Sequence, residues 1–258
     1  MFSAKDGPRV TSFNYSGGAS YEPFERLLAV GTVERLLDET LQSFGARPVP
    51  EKFVGDVIIT PDCLRHLTYT IAAVLNGYAL MAGTTPYKGR RGETIASPRF
   101  SLLNRPRASD FPEGTDFDGY GIPTRDLDVV KDGVLNDFLI DFYISRKLNL
   151  AQTAGAWNFV IPGGDRSIAD IIAGTRRGII LSRFSGGQPN NNLDFSGIAK
   201  NSFYIEDGKI RHALSETMVN GNFQELLKSI TDVSRETVNF GDHVYPYLAA
   251  SGVTISAK

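Results

Sequence analysis

The stretch NSFYIEDGKIRHAL, residues 201–214, decides the fold class. Two runs rich in β-branched and aromatic residues flank Asp207-Gly208. Glycine takes up positive φ at little steric cost, so an Asp-Gly pair between such runs predicts a tight hairpin. Upstream, LDVVKDGVLNDFLIDFYISRKL (127–148) repeats the device, with β-rich runs around Lys131-Asp132-Gly133. The likeness of VKDGVL to IEDGKI is turn chemistry and not an internal repeat. GDVIIT (55–60) reads as a short buried strand, VTSFNYSGG (10–18) as strand-like, and YPYLAASGVTISAK (245–258) as a closing strand.

Helical signals are scarcer. In TVERLLDETLQSF (32–44), Leu36, Leu37 and Leu41 form an apolar stripe. Short helices are predicted at 167–173, SIADIIA, and at 222–231, NFQELLKSIT, with polar capping residues. GARPVPEKF (45–53) reads as an extended connector, because Pro48 and Pro50 oppose helix. Residues 83–125 are dense in Gly, Pro, Arg and Asp without a sustained period, which predicts a long surface loop. Its basic cluster, Lys88, Arg90 and Arg91, reads as solvated or paired with nearby acids. The pattern implies an α+β fold with a mostly antiparallel sheet or barrel-like core and a few helices. Residues 1–52 form a linker-like segment with one helix, and 53–258 form the domain.

The chain has 258 residues, enough for a large core, and its 41% hydrophobic and 22% charged composition is that of a globular protein. A net charge of -2 argues against bulk attraction to nucleic acid or an anionic membrane. No apolar run of roughly 18 residues offers a membrane span. Cys63 is the single cysteine, so no intrachain disulfide forms, which suits a reducing compartment. The opening MFSAKDGPRV lacks the basic and then apolar pattern of a signal peptide. The expected location is the cytoplasm.

TPDCLRHLTYTIAAVLNG (60–77) reads as a helix, with Thr60 as cap, Pro61 in the first turn and Gly77 at the end. Leu64, Leu67, Ile71, Val74 and Leu75 recur at helical spacing. Cys63 and His66 share a face at i and i+3, and two soft ligands on one turn begin a zinc site when others, such as His212 or His243, fold in. None of the residues from Leu67 to Ile71 is a standard ligand. The plainer reading is a buried small hydrophobe and a hydrogen-bonded histidine. There is no P-loop, dinucleotide fingerprint or nucleophile elbow.

Two further stretches carry candidate peptide- or partner-binding residues. SRFSGGQPNNNLDFSGIAKNSFYIEDGKI (182–210) contributes Ser185, Gly186, Gly187, Asp194, Phe195, Ser196, Gly197 and Asn201. SETMVNGN (215–222) contributes Ser215, Glu216 and Thr217. Glycines let a second backbone approach closely, and a free strand edge binds an extended peptide by β-addition. Turn formation and helix capping explain the same residues without a ligand.

SGGQPNNNLDFSGIAKNSFYIEDGKI (185–210) followed by ALSETMVNGN (213–222) closely resembles the signature of the TldD/PmbA (TldE) proteins, once called modulators of DNA gyrase. DVVKDGVLNDFLIDFYISRKLNL (128–150) and YLAASGVTI (247–255) match the same pattern, in order. The resemblance covers nearly the whole chain and corresponds to the family's C-terminal portion. The usual N-terminal domain is unmatched, so the chain is expected to be a fragment, a truncated product or one half of a split protein.

The resemblance implies a metallopeptidase system of two related subunits. The TldD type carries His-Glu-x-x-x-His on a helix, plus a later cysteine, to hold a metal that polarises the scissile carbonyl and activates water. The TldE/PmbA type lacks these ligands and completes the substrate tunnel of a heterodimer. His66 matches the first histidine of that helix, while Leu67 stands at the glutamate position and Ile71 at the second histidine. NFGDHVYPYL (239–248) offers no cysteine. Leucine shuttles no proton and isoleucine binds no zinc. The resemblance therefore implies a TldE/PmbA-type subunit with no catalytic or metal-binding residue of its own. Zinc then belongs to a TldD-like partner, a peptide is the substrate, and a homodimer is a further assembly. Two alternatives stay open: a metallopeptidase with a divergent metal site, and a peptide-binding or regulatory module without a peptidase role.

Overall fold

The computed structural model describes residues 1–25, 28, 31–153 and 155–257. A small hairpin of β1 (Lys5–Asp6) and β2 (Arg9–Val10) precedes α1 (Val33–Gln42). Then follow β3 (Phe53–Ile59), α2 (Pro61–Leu75), α3 (Gly77–Ala82), β4 (Leu102–Asn104), β5 (Leu127–Lys131) and β6 (Val134–Leu135). After α4 (Phe142–Leu148) come β7 (Phe159–Val160), α5 (Ile168–Gly174), β8 (Arg177–Leu181) and β9 (Arg183–Ser185). The remainder is β10 (Asp194–Lys200), β11 (Phe203–Glu206), β12 (Lys209–Ala213), β13 (Thr217–Asn222), α6 (Phe223–Lys228), β14 (Ile230–Asn239) and β15 (Val244–Ala257).

The expected α+β class holds. β3 to β15 form one sheet whose main path is β12-β11-β8-β3-β15-β7-β4-β5-β6, with β9, β10, β13 and β14 branching from it. Pairing is antiparallel except at β3/β8 and β15/β7. The path of the sheet does not close into a barrel. Both Asp-Gly hairpins form as read: Asp132 and Gly133, and Asp207 and Gly208, all have positive φ, the geometry a two-residue primed turn requires.

β15 is the hub. Its first half pairs with β14, its last residues with β13, and its other edge with β3. A bulge between Ala250 and Val253, with Gly252 at φ 79°, lets one strand serve these differently inclined neighbours. Alternation then divides the sheet's residues between two cores. Val57, Ile59, Ile179, Leu181, Leu248 and Ala250 enter the larger one beneath α2. Ile58, Ile180, Phe203, Ile205 and Ala249 enter a smaller one closed by Ile168, Ile171 and Ile172 of α5.

Several sequence expectations are corrected. Residues 83–125 are a surface loop only in part: most of them are exposed, but Tyr87, Ile95, Phe100, Leu102 and Phe111 are each no more than 2% exposed. Apolar anchors at irregular intervals bury an irregular chain as firmly as a periodic one, and they leave no period to detect. The second run after Asp132-Gly133 is a strand for only two residues. DFYISRKL is then helical because the Asp141 carboxylate accepts the Ile144 N–H at the helix start. The helix at 222–231 stops at Lys228, because Ile230 leaves it to pair with Ala250. Within VTSFNYSGG only Val10 lies in a strand. Asn14 adds a single bridge to Phe2 and turns its buried carboxamide to the Leu36 carbonyl. Arg90 pairs with Glu93 and Arg91 with Asp137, while Lys88 is exposed, as the reading of that cluster required.

Candidate functional site

α2 lies across the larger core. Pro61 occupies its first turn, but Thr60 caps it only through its backbone carbonyl, which accepts from Cys63 and Leu64 N–H. The Thr60 hydroxyl is instead turned to the Ser182 carbonyl. Nor does Gly77 end the helix: α2 stops at Leu75, and the Asn76 side chain accepts from Ala79 N–H to start α3. Cys63, Leu64, Thr68, Ile71, Ala72 and Leu75 face inward. Arg65, His66, Tyr69 and Ala73 face outward.

Between α2 and the β9–β10 turn lies an apolar cavity of about 60 Å³. Val57, Ile59, Cys63, Leu67, Phe184 and Phe195 are among its walls, and His66, Thr70, Gly187 and Pro189 stand at its rim. A groove of about 300 Å³ with a mixed polar and apolar lining continues from His66, Thr70 and Pro189 along Tyr69 and Ala73, bounded opposite by Gln188, Asn190 and Asn191. His66 belongs to both. The Gln188 carboxamide nitrogen lies 3.1 Å from its Nε2.

The three histidines and the cysteine do not converge. Cys63 is buried, and desolvation pushes its thiol up to about 12, so it stays protonated beside the Phe184 backbone. His243 is 2% exposed; its Nδ1 accepts the Phe159 N–H, which leaves the proton on Nε2, 3.5 Å from the Asp242 carboxylate. Asp242 in turn pairs with Arg65 of α2 at 2.8 Å. Burial holds His243 below its ordinary value, against the pull of Asp242. His212 sits on β12 against Pro48 and Tyr204. Among the described residues no three of His, Cys, Asp and Glu are grouped to hold a metal ion. The donor set beside His66 is equally unsuited. Leu67 lines the cavity, Ile71 is in the core, and a protonated thiol is a poor ligand. These residues do not fit zinc.

The candidate peptide-binding residues divide by place. Gly187 and Phe195 line the cavity itself. Gly197 lies beneath it: a Cβ there would stand 2.4 Å from the Phe184 ring, and one at Gly187 would stand 2.7 Å from the same ring. These glycines make room for an aromatic wall. Gly186, at φ 73°, follows Ser185 in the turn. Asp194 accepts from Asn222, which also caps α6, and Ser196 pairs with Asn220 on β13. Asn201 is away from the groove, at φ 50° between β10 and β11, with its carboxamide donating to Asn14 and to the Phe13 carbonyl. Ser215 and Glu216 form the turn before β13, which Thr217 begins; Ser215 N–H is held by the Arg47 carbonyl and the Thr217 hydroxyl donates to the Ser215 carbonyl. Thr70, Phe184 and Gln188 were not singled out in sequence, and Leu67 was read there as part of the helical stripe and as standing at the glutamate position, not as a cavity wall.

The model of the PmbA/TldA metallopeptidase C-terminal domain matches residues 52–257. The metalloprotease PmbA of Escherichia coli O157:H7 is 29% identical over 170 residues, covering 62% of this chain and 38% of the relative. Among solved structures, a protein of Bacteroides thetaiotaomicron described as a modulator of DNA gyrase superposes with a TM-score of 0.81 at 28% identity. It covers 88% of this chain and 52% of its own. TldE from Thermococcus kodakarensis gives 0.78 at 27% identity, covering 87% and 55%. The chain thus spans about half the length of these structures and less of the curated relative.

Proposed function

This chain belongs to the family of PmbA/TldA metallopeptidase C-terminal domains, and we propose that it is a non-catalytic, TldE/PmbA-type subunit of a two-subunit metallopeptidase acting on peptides. One observation carries the reading. The helix that presents His66 has a leucine and a core isoleucine where a working site needs a proton carrier and a second imidazole, and its neighbouring thiol stays protonated. In this reading zinc resides on a TldD-like partner, which polarises the scissile carbonyl. This subunit contributes walls and a peptide-lining surface, and it works in the cytoplasm.

The test is metal analysis of the purified chain, followed by peptide cleavage with and without a TldD-type partner. The expected result is substoichiometric zinc, no cleavage by the chain alone, and cleavage by the mixture. Stoichiometric zinc together with cleavage by this chain alone overturns the reading.

A further inference from the structure

Resting on that subunit reading, we propose that the cavity beside α2, with the groove that opens from it, binds an extended uncharged peptide segment through one branched aliphatic side chain. The cavity receives the side chain, and the carboxamides of the β9–β10 turn receive the flanking peptide groups.

Charge selects the ligand class. No Asp, Glu, Lys or Arg lines the cavity or the groove, in a chain where 22% of residues are charged. A nucleotide or a fatty acid brings an anionic head that is best met by a Lys or Arg cation, and neither residue type lines the cavity or the groove. An internal peptide segment has no net charge, and its N–H and C=O groups match neutral carboxamides. Gln188 and Asn191 present such groups beside the cavity mouth, and the exposed imidazole of His66, on α2, meets Gln188 there.

Size selects the side chain. The cavity of about 60 Å³ is walled by aliphatic carbons and three phenylalanines, Phe184, Phe195 and Phe223, of which the first two meet edge to face with centroids 5.9 Å apart. It accommodates about three or four aliphatic carbons, as in valine or leucine, and a ring enters only if Phe184 or Phe195 moves. Gly187 and Gly197 leave the Phe184 ring in place at this wall, and a Cβ at Gly221 would likewise stand 2.8 Å from the Phe195 ring. Three glycines therefore preserve the shape of one cavity.

The probe is an end-blocked, dye-labelled Gly-Ser-Leu-Ser-Gly, titrated with the full chain by fluorescence anisotropy beside its alanine, tryptophan and aspartate analogues. The leucine peptide is expected to bind at least about tenfold more tightly than each analogue. His66→Trp, at an exposed position, is expected to cover the mouth and weaken leucine binding about tenfold with an unchanged Tm. Cys63→Ala deepens the cavity and is expected to shift preference from leucine toward phenylalanine. Equal affinity for the leucine and alanine peptides, or leucine binding indifferent to His66→Trp, overturns the proposal. Cleavage by the mixture with a TldD-type partner, run on the same preparation, reports on the subunit reading separately.

Discussion

The fastening of α2 to β15 is open to a direct measurement. Thr68 Oγ1 and Tyr245 OH are 2.8 Å apart, and both residues are fully buried. The Thr68 hydroxyl donates to the Arg65 carbonyl, so it is the tyrosine that donates to threonine. Burial raises the Tyr245 hydroxyl far above its ordinary value, which keeps that proton in place. Tyr245→Phe leaves threonine with its donor satisfied and one lone pair unmet, a cost of about 1 kcal/mol. Thr68→Val strands the tyrosine O–H in an apolar site and costs about 1–3 kcal/mol. The double variant has neither group left to strand, so it is expected to fall short of the sum by about 1–2 kcal/mol. In a chain of this size each kcal/mol moves Tm by about 2–4 °C. Thermal and urea unfolding of the four proteins closes the cycle. Additivity to within about 0.3 kcal/mol would refute the coupling.

Two other outcomes follow from the geometry. Asn222 caps α6 through Gln224 N–H and ties Asp194 and the Asn192 carbonyl to β13, so Asn222→Ala is expected to cost about 1–2 kcal/mol. It should also speed amide exchange at Asn192 and Asp194, and unchanged exchange there speaks against the tie. His243 has its value lowered in the fold, chiefly by desolvation, so the unfolded chain takes up the proton first. Its stabilisation is therefore full above about pH 6.5 and lost as pH falls below it. Urea midpoints should drop across that window, and His243→Asn should flatten the drop; an unaltered slope assigns it elsewhere.

The turns were legible because their chemistry is local. An Asp-Gly pair determines φ at its own two positions, and Asp141, Ser167 and Asn222 each accept from an N–H two or three residues along. Of these caps the sequence reading found Ser167 and Asn222, but missed Asp141 inside a β-rich run. The buried anchors of 83–125 were illegible, because Tyr87 and Phe100 join a core made by distant elements and share no periodicity with each other. The cavity was half legible. Its turn is conspicuous in sequence, yet its walls come from α2, β3, β13, α6 and β15, which only the folded sheet assembles. The glycines that suggested room for a ligand backbone proved at two positions to be room for Phe184.

The arrangement of β15 has a consequence for synthesis on the ribosome. β3, β13 and β14 are all translated before the strand that joins them. Until it emerges, the nascent polypeptide displays unsatisfied ladder groups flanked by valine and isoleucine, the kind of surface that holdase chaperones shield and neighbouring chains capture. Productive maturation thus hinges on how quickly that late segment threads into a sheet already waiting for it.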